Sequence, residues 1–596
     1  MLQPNFFSWD IETNGREFRD PGFRVWAVCV SDGRRTIGFD RFHIDEAVAM
    51  LEKAPRLIGH NASMYDRPAI RTHTPASLKT GDSYFLAYLL DEEGGRFKRL
   101  NLQALCIQYL GVAPWKDEVT WEWSETDHWP PADPRWDVMM RYCARDTEYT
   151  HRLATVLEER VKAESERLWL VYENIMLPAS RALSAIEENG VYIDTDAIKL
   201  DQERLELRGA FVHSELVDLA QRAGIEKFNP GSPAQVGELL YGRLEIPCST
   251  FTNTGKPATD ALTLKRLASD PRAAEVVEPL LELRGINKLV GTYLKPYLAL
   301  AEASPDSRVH PSYSIAYVAT GRTSAFGPNI QNVPRDARVR RVVSAPPGKV
   351  MLQADLSQAE LRIAAFCSRD PRMLESYRRG DDLHYVMAEN ITGKTRANIS
   401  KEERTAAKIA NFSLCYGAET TTFMDQAFKD YDLTLEFAEA DRIRNSFFTT
   451  FAQLYPWYET VFQRLHDNEF VESHTGRRRR FAGFKTWGNR QQTQALREAT
   501  NFLVQSLASD ISLVALVNVT GRGYKTTAFI HDAIQVELDD DPQTIQNAAK
   551  DIKYAIEVEV PHIVNARFGF AIDVPLVADI SVGNTWADLK DLTTTS

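Results

Sequence analysis

The chain lacks the features that mark secreted, membrane-spanning and zinc-binding proteins. Its six cysteines are scattered and include no C-x-x-C pair, so we expect reduced thiols, no disulfides and no zinc site. No apolar run approaches the roughly 18 residues that a membrane-spanning helix needs. The N-terminus, MLQPNFFSWD, has neither the basic flank nor the long apolar stretch of a signal peptide. These absences predict a cytoplasmic protein with no membrane partner.

The chain also lacks an excess of positive charge. Its formal net charge is −12, which taken alone argues against a nucleic-acid-binding protein. A large protein needs only a local basic stripe for such binding, however. Two arginine-rich runs, RDARVRRVV at 335–343 and TGRRRRF at 475–481, are candidates for such a stripe. The alternative, that these runs are solvated faces or loops, stays open.

The length of the chain predicts more than one domain, because 596 residues are too many for a single core. Strand-like runs alternate with helical segments up to about residue 160, which indicates an α/β domain. We predict helix over about 148–188, with Gly190 as a C-cap and Asp194 or Thr195 as the next N-cap. Residues 194 to about 300 are mostly helical, and strands mix with helices from 310 onward, which predicts an α+β part.

Two sets of spaced carboxylates, one near each end of the chain, are its most informative feature. Most of these acids lie within or just after an apolar or β-prone run, where they can hold a hard cation at the end of a buried strand. Paired Mg²⁺ ions held in this way serve displacement at phosphorus. The first set is Asp10, Glu12, Asp66 and Asp146, and the second is Asp355 and Asp532. Two sets predict two phosphoryl-transfer reactions.

In the first set, the spacing of the acids favours a shared metal site. Asp10 and Glu12 are two residues apart, so on a strand both side chains point to the same face. Tyr142 and Asp146 are four apart, so on a helix the phenol lies beside the carboxylate. A hydroxyl placed there can orient a water that attacks a metal-bound phosphate. Each pattern alone is common in structural roles, whereas all of them in this order are rarely accidental.

The set D-x-E, N-x₄-D and Y-x₃-D resembles the DEDDy group of 3′→5′ exonucleases, the proofreading domain of many DNA polymerases. The resemblance covers about residues 5–155 and implies an RNase-H-like fold. It implies that Tyr142 positions the attacking water and that two divalent ions are held by the four acids. Those acids are Asp10, Glu12, Asp66 and Asp146.

The segment ERTAAKIANFSLCYG is the sharpest motif of the chain. Two cations and two aromatic residues recur every four positions, at Arg404, Lys408, Phe412 and Tyr416. Each step of four drifts by only about 40° around a helix, so we expect all four on one stripe. Cations at one end can bind a triphosphate, and aromatics at the other can stack on a sugar and base. The plainer alternative is an amphipathic helix with aromatic core contacts.

This motif, R-x₃-K-x₃-F-x₃-Y-G, resembles the fingers helix of family A, the DNA polymerase I family. DLSQAELR and HDAIQVEL are similar to the two palm motifs of that family, and the resemblance spans about 168–590. It implies a right-hand polymerase with palm, fingers and thumb after the exonuclease domain. The domains implied are 1–160 exonuclease, 161–310 connecting helices and thumb, 311–370 first part of the palm, 371–490 fingers and 491–596 second part of the palm.

The resemblance also implies roles for individual residues. Asp355, Asp532 and the Leu356 carbonyl would hold two Mg²⁺ ions, for which Mn²⁺ can substitute, and Lys408 is a candidate proton donor to the leaving group. The implied nucleotide-binding residues are Arg404, Lys408, Phe412, Tyr416, Gln358, Glu360 and His384. The implied DNA-binding residues are Arg322, Arg497, Asn501, Gln505 and His531. One position departs from the family pattern, since Ala533 stands where an acid usually follows the second palm aspartate.

These resemblances predict a template-directed DNA polymerase with 3′→5′ proofreading, of the bacteriophage replicative type. We expect no 5′-nuclease domain before the exonuclease, and a monomer in the host cytoplasm. Its expected partners are primer-template DNA, dNTPs and phage replisome proteins such as a helicase and a single-strand binding protein. Two alternatives remain, a cellular gap-filling or repair polymerase and a catalytically idle DNA-binding scaffold.

Overall fold

A five-stranded mixed sheet forms the centre of the N-terminal part of the protein. The computed structural model describes residues 6–592 except 16, 18, 77, 97, 98 and 432. Strand Phe7–Thr13 lies in the middle, antiparallel to Val25–Ser31 and parallel to Leu57–Gly59. The order across the sheet is Thr36–Asp40, Val25–Ser31, Phe7–Thr13, Leu57–Gly59 and Thr80–Asp82.

Helices cover this sheet, which confirms the prediction of an α/β domain. Arg135–Glu164 packs against the two central strands, and Trp9, Ile11 and Val28 lie in a buried apolar cluster of this domain. The α-helices here are Ile44–Lys53, Asp66–His73, Ser83–Leu90, Leu102–Leu110 and Arg135–Glu164, with 3₁₀ turns at Lys116–Glu118 and Trp123–His128.

A run of helices joins the two parts of the protein. The helix predicted from about 148 begins earlier, at Arg135, and the chain stays helical to Asn189 apart from a break at Ser165. Gly190 ends it with φ 63°, and Asp194 caps the next helix by accepting from the Ala197 amide, as predicted. The following helices are Thr195–Arg222, Pro233–Gly237, Ala261–Leu267, Pro271–Lys288 and Lys295–Ala303, with π-helical turns at Tyr172–Met176, Glu238–Arg243 and Leu289–Leu294.

An antiparallel five-stranded sheet forms the centre of the C-terminal part, which confirms the α+β prediction. Its middle strand, Lys349–Leu356, pairs with Ala533–Asp539 on one side and Ala578–Gly583 on the other. The order is Lys525–Ile530, Ala533–Asp539, Lys349–Leu356, Ala578–Gly583 and Lys590–Asp591. Two-residue and three-residue strands pair elsewhere at Val191–Tyr192 with Arg308–Val309, Ser312–Ser314 with Ser324–Phe326, and Phe470–Glu472 with Arg478–Arg480.

Helices pack around this second sheet, and one of them corrects the expectation about membrane spans. Asn489–Thr520 is long and apolar enough to cross a membrane by length and composition, but 83% of its most apolar window is buried inside the protein. It is therefore a core helix. The helices of this part are Ala337–Arg340, Ala359–Ser368, Pro371–Arg378, Leu383–Thr392, Lys401–Leu414, Thr420–Tyr431, Phe437–Thr450, Leu454–Asn468, Asn489–Thr520, Pro542–Tyr554 and Val560–Phe568.

The arginine run at 477–480 joins the two parts of the protein through ion pairs. Arg477 pairs with Asp510 at 2.8 Å inside the core, and the Arg480 guanidinium pairs with Glu92 at 2.6 Å across the junction. These ion pairs contradict the interpretation of the run as a solvated face and also its interpretation as a free basic stripe, because acidic side chains already neutralise its charges. The run at 335–343 is likewise partly engaged, since Arg338 pairs with Asp336 at 2.6 Å.

Candidate active sites

The first set of acids meets at the centre of the N-terminal sheet. Asp10 and Glu12 lie on strand Phe7–Thr13 with their side chains on one face, as predicted. Their carboxylate oxygens and the Cys143 sulfur all lie within 4.8 Å of one another. Asp66 is the first residue of helix Asp66–His73. It accepts a hydrogen bond at 3.2 Å from the backbone amide of Ile11, the residue between Asp10 and Glu12, so it lies beside these two acids.

Burial and mutual repulsion dominate the electrostatics of these acids. Burial, and then the neighbouring carboxylates, raise the pKa of Asp10 well above its ordinary value. Burial likewise raises the pKa of Glu12 and brings that of Asp66 to about 7. The pKa of the Cys143 thiol is also raised by burial, so the sulfur stays protonated and is a poor ligand. Crowded oxygens with so little positive charge fit a hard divalent cation.

Asp146 completes this cluster from helix Arg135–Glu164, but protein donors hold both of its oxygens. The Trp115 indole N–H donates to Oδ1 at 2.5 Å, and the Lys116 ammonium donates to Oδ2 at 3.1 Å. Tyr142 lies one turn earlier on the same helix, with its ring centroid 5.4 Å from Lys116 Nζ. We did not predict Trp115 or Lys116, and the only sequence signal for them is a Lys in a Trp-rich loop.

Asp82, a buried aspartate at the end of the edge strand Thr80–Asp82, holds in place the loop that precedes Asp66. Asp82 accepts hydrogen bonds from the backbone amides of Asn61 and Ser63, at 2.8 and 2.9 Å. Burial raises the pKa of Asp82 to about 6. Asn61 has φ 59°, a left-handed conformation that a non-glycine residue rarely adopts unless its surroundings impose it.

The second pair of acids meets at the end of the C-terminal sheet. Asp355 is the penultimate residue of strand Lys349–Leu356, and Asp532 lies in the two-residue turn before strand Ala533–Asp539. Their carboxyl groups share a hydrogen bond, and burial together with Asp532 raises the pKa of Asp355 to about 7. Burial also raises the pKa of Asp532. Two carboxyls that compete for one proton are suited to hold a cation in its place.

A third acid flanks Asp355 on the strand opposite to the one that carries Ala533. In the ladder, Asp355 faces Ala533 on one side and Asp579 on the other. Directly opposed residues project to the same face, and Asp579 contributes to the raised pKa of Asp355. The site therefore has a third carboxylate nearby although Ala533 cannot supply one. The sequence signal was present, since VPLVADISV is also an apolar run that contains an acid.

Two turns beside these acids hold non-glycine residues in left-handed conformations. Gln358 has φ 51° and precedes helix Ala359–Ser368, while His531 has φ 60° and directly precedes Asp532. The Gln358 side chain is engaged, since its Oε1 accepts from the Tyr377 hydroxyl at 3.1 Å. His531 is exposed. Backbone strain of this kind concentrates at functional sites.

The predicted stripe lies on a helix that ends two residues before Tyr416. Helix Lys401–Leu414 carries Arg404, Lys408 and Phe412, but Tyr416 follows its end. The helix stops because the chain turns at Gly417, which has φ 75°. The prediction that all four residues share one helix was therefore wrong for Tyr416.

The two cations of helix Lys401–Leu414 have charged neighbours on other segments of the chain. Arg404 pairs with Asp382 at 2.6 Å. Burial, and then Arg335 and Arg404, lower the pKa of Lys408. Arg335, the first residue of the arginine-rich run at 335–343, opposes the rise in the pKa of Asp355, so it lies near both groups. A lysine near other cations is a stronger acid than a free one.

The remaining predicted nucleotide-binding residues form contacts with one another. Glu360 accepts hydrogen bonds from Arg322 and from the Tyr416 hydroxyl, the latter at 2.5 Å. His384 is buried, and its Nδ1 lies 3.0 Å from the Asn411 amide nitrogen. Its ring centroid lies 5.7 Å from that of Phe412, and burial lowers its pKa to about 4.

Three predicted DNA-binding residues lie on helix Asn489–Thr520. Arg497, Asn501 and Gln505 are spaced by four residues and are all half-buried, so they share one side of the helix. Arg497 pairs with Glu419. The Asn501 Oδ1 atom is buried and has no hydrogen-bond partner among the described residues. A buried acceptor of this kind is available to bind a ligand.

Comparisons with known proteins agree with this geometry. The family model described as DNA polymerase family A matches residues 200–588, and the one described as 3′-5′ exonuclease matches residues 2–162. The chain is similar to DNA polymerase I of Pseudomonas aeruginosa (27% identical over 90% of this chain and 57% of that protein) and to the DNA polymerase of Bacillus phage SP01 (26% identical over 77% and 55%).

A solved structure shares the fold. It is titled "POL domain of Pol1 from M. smegmatis complex with DNA primer-template and dNTP" and is 22% identical, with a TM-score of 0.81 over 98% of this chain and 96% of that one. This chain spans 57% and 55% of the length of the Pseudomonas and phage relatives. The family models between them match most of the described residues, so the chain belongs to the family A DNA polymerases and carries a 3′-5′ exonuclease domain.

Proposed function

We propose that this chain performs template-directed DNA synthesis at the C-terminal acids and 3′→5′ editing at the N-terminal acids. The observation that carries the proposal is the presence of two separate carboxylate clusters on the two parts of one chain, each with an aspartate whose pKa is raised by burial and by neighbouring acids. Helix Lys401–Leu414 carries Arg404 and Lys408, and Arg335 acts electrostatically on both Lys408 and Asp355, which supports a triphosphate site beside these acids. The primer-template and dNTPs would be its substrates.

In synthesis, Asp355, Asp532 and the Leu356 carbonyl would hold two divalent ions, Mg²⁺ by preference and Mn²⁺ as a substitute. When bound, these ions lower the pKa of the primer 3′-hydroxyl and steady the leaving pyrophosphate. Arg404 would exchange its partner Asp382 for the triphosphate. The lowered pKa of Lys408 supports its role as the proton donor to the leaving group.

The residues around the sugar and base would select the nucleotide. Glu360, held by Arg322 and Tyr416, would crowd the 2′ position and exclude ribonucleotides. Phe412 would face the 3′ side of the sugar. Gln358 and His384 would line the nucleotide site, His384 from behind Phe412.

Residues of the palm would contact the primer-template. His531 lies beside Asp532, where the primer end would be, and Arg322 lies beside Glu360. Arg497, Asn501 and Gln505 would contact the DNA minor groove along helix Asn489–Thr520, where acceptors common to all correct pairs report shape rather than sequence.

In editing, the four N-terminal acids would bind two divalent ions, and Tyr142 would position the water. Burial, followed by Asp146, raises the pKa of Tyr142, so its hydroxyl stays protonated and can donate a hydrogen bond. The acids are Asp10, Glu12, Asp66 and Asp146.

We further propose a replicative enzyme of bacteriophage type that works as a monomer in the host cytoplasm with a helicase and a single-strand binding protein. The similarity to the Bacillus phage polymerase supports a phage source, whereas the bacterial relatives keep a cellular gap-filling polymerase as the second candidate. Processivity and strand displacement on a long template distinguish the two.

The test of the synthesis site is primer extension by Asp355→Ala. Extension should be lost while degradation of the primer continues, because losing a metal ligand removes several kcal/mol of transition-state stabilisation, roughly a thousandfold or more in rate. Asp539→Ala is the matched control, since Asp539 is an exposed acid at the other end of the same sheet. Extension by Asp355→Ala at the parent rate would show that the metal assignment is wrong.

The test of the editing site is degradation of a mismatched 3′ end by Asp10→Ala combined with Glu12→Ala. This double variant should keep extension, lose degradation and make more errors. The control is Asp45→Ala, which removes an exposed acid of the same domain. Undiminished degradation by the double variant would contradict the assignment.

A further inference from the structure

Protein side chains bind both carboxylate oxygens of Asp146. Trp115 Nε1 donates to Oδ1 at 2.5 Å and Lys116 Nζ donates to Oδ2 at 3.1 Å. The Asp146 side chain is only 6% exposed. A cation that uses this carboxylate must therefore displace a donor or share an oxygen with it.

The two donors differ in how firmly they are held. Gln103 Oε1 accepts hydrogen bonds from the backbone amides of both Trp115 and Lys116, at 2.9 Å each, so the backbone is fixed. Trp115 is buried and packs edge-on against Tyr149, with centroids 4.5 Å apart. The Lys116 side chain, in contrast, is 40% exposed and has a flexible four-carbon stem. Lys116 can withdraw toward solvent without disturbing the core, and Trp115 cannot.

Lys116 also brings a positive charge to this cluster. It favours the ionised forms of Asp10 and Glu12, and its ammonium binds the Asp146 carboxylate directly, so it faces three of the four acids. Burial lowers the pKa of Lys116, but Asp146 and Tyr142 outweigh burial, and the pKa lies above its ordinary value. The side chain is therefore fully charged at neutral pH.

We propose that Lys116 is an internal counter-ion of the editing site, which a divalent cation must displace from Asp146 before editing begins. Lys116 thereby raises the metal concentration at which the exonuclease works, and it keeps the acids compensated when no metal is bound. This inference rests on the proposed editing function of the same acids. The effect is expected to be modest, because a partly exposed ammonium is screened by solvent.

The test is a direct titration of Mn²⁺ into the full-length protein without DNA, followed by electron paramagnetic resonance. An Asp532→Ala background removes the competing palm site. Lys116→Met should bind Mn²⁺ roughly two- to fivefold more tightly than the parent. Lys116→Arg, which keeps the charge, should stay near the parent, and Lys53→Met should equal it, because Lys53 is an exposed lysine of the same domain.

Two further variants test whether a change in Mn²⁺ binding arises at the editing site. Adding Asp10→Ala to Lys116→Met should abolish the tight binding, which assigns it to this site, and Lys116→Gln replaces the methionine if that variant folds poorly. Unchanged or weaker Mn²⁺ binding in both neutral variants would overturn the inference. If Asp10→Ala left Mn²⁺ binding by the parent intact, the proposed metal site itself would be wrong, which is a separate result.

Discussion

The buried pair Arg477–Asp510 should be the most destabilising place to remove a charge without touching either candidate site. Arg477 and Asp510 are 3% and 1% exposed, and Arg477 Nε donates to Asp510 Oδ1 at 2.8 Å. Thr475 donates to the other carboxylate oxygen at 2.6 Å. Arg477→Met keeps most of the stem volume and removes the charge, so the effect reports the pair and not a cavity.

The expected loss follows from what remains after the substitution. Asp510 would keep only Thr475 as a neutral partner in the core, and breaking a buried pair from one side costs about 3–5 kcal/mol. Burial already raises the pKa of Asp510 in spite of Arg477, so the carboxyl can take up a proton and bring the loss toward the lower figure. The loss should therefore be smaller in acidic buffer than at neutral pH.

The assay is urea unfolding followed by circular dichroism, with Arg338→Met as the matched control. The Arg338–Asp336 pair has the same chemistry but is 49% and 25% exposed, so its removal should change the free energy of unfolding by less than about 1 kcal/mol. Asp510→Leu combined with Arg477→Met should recover part of the stability, because no unpaired charge remains. Equal unfolding midpoints for Arg477→Met and Arg338→Met would refute the reasoning.

Three further outcomes are expected. Phe412→Tyr should raise dideoxynucleotide incorporation by roughly ten- to a hundredfold with little effect on dNTPs, because it adds one hydroxyl beside the sugar. Competition between a ddNTP and a dNTP on an exonuclease-inactive background measures this. Unchanged discrimination between the two nucleotides would contradict the prediction. Tyr142→Phe should slow editing less than Asp10→Ala does, because only an orienting hydroxyl is lost; equal rates of single-strand degradation by the two variants would contradict it. Because the pKa of Asp355 is about 7, Mg²⁺ binding at the palm should release a proton and strengthen as the pH rises from about 6 to about 8; calorimetry shows this, and a flat pH profile excludes it.

The sequence predicted the elements that periodicity and spacing determine. Asp10 and Glu12 lie on one face of a strand, and Tyr142 and Asp146 lie on one face of a helix, because two- and four-residue spacings are geometric properties of those structures. The α/β and α+β classes followed from the order of strand-like and helical runs for the same reason. The cap at Asp194 followed from local hydrogen bonding.

What the sequence did not predict depends on contacts between distant segments. The run Arg477–Arg480 looks like a DNA-binding stripe until Glu92 and Asp510 are placed against it. Lys116 lies thirty residues from Asp146, and Asp579 reaches Asp355 only through strand pairing. No local pattern encodes these neighbours, since tertiary packing decides them.

Both candidate sites bring several acids together, and different cations of the chain partly compensate the negative charge in each site. In each site, burial and then neighbouring carboxylates raise the pKa of an aspartate above its ordinary value. In the palm, Arg335 and Arg322 oppose the rise in the pKa values of Asp355 and Asp532, respectively. In the editing site the compensating cation, Lys116, binds an acid directly. A cation that binds an acid directly competes with a metal ion for a carboxylate oxygen, whereas more distant cations only weaken the negative potential that attracts the metal ion. If the proposed functions hold, the editing site should therefore require a modestly higher metal concentration than the palm.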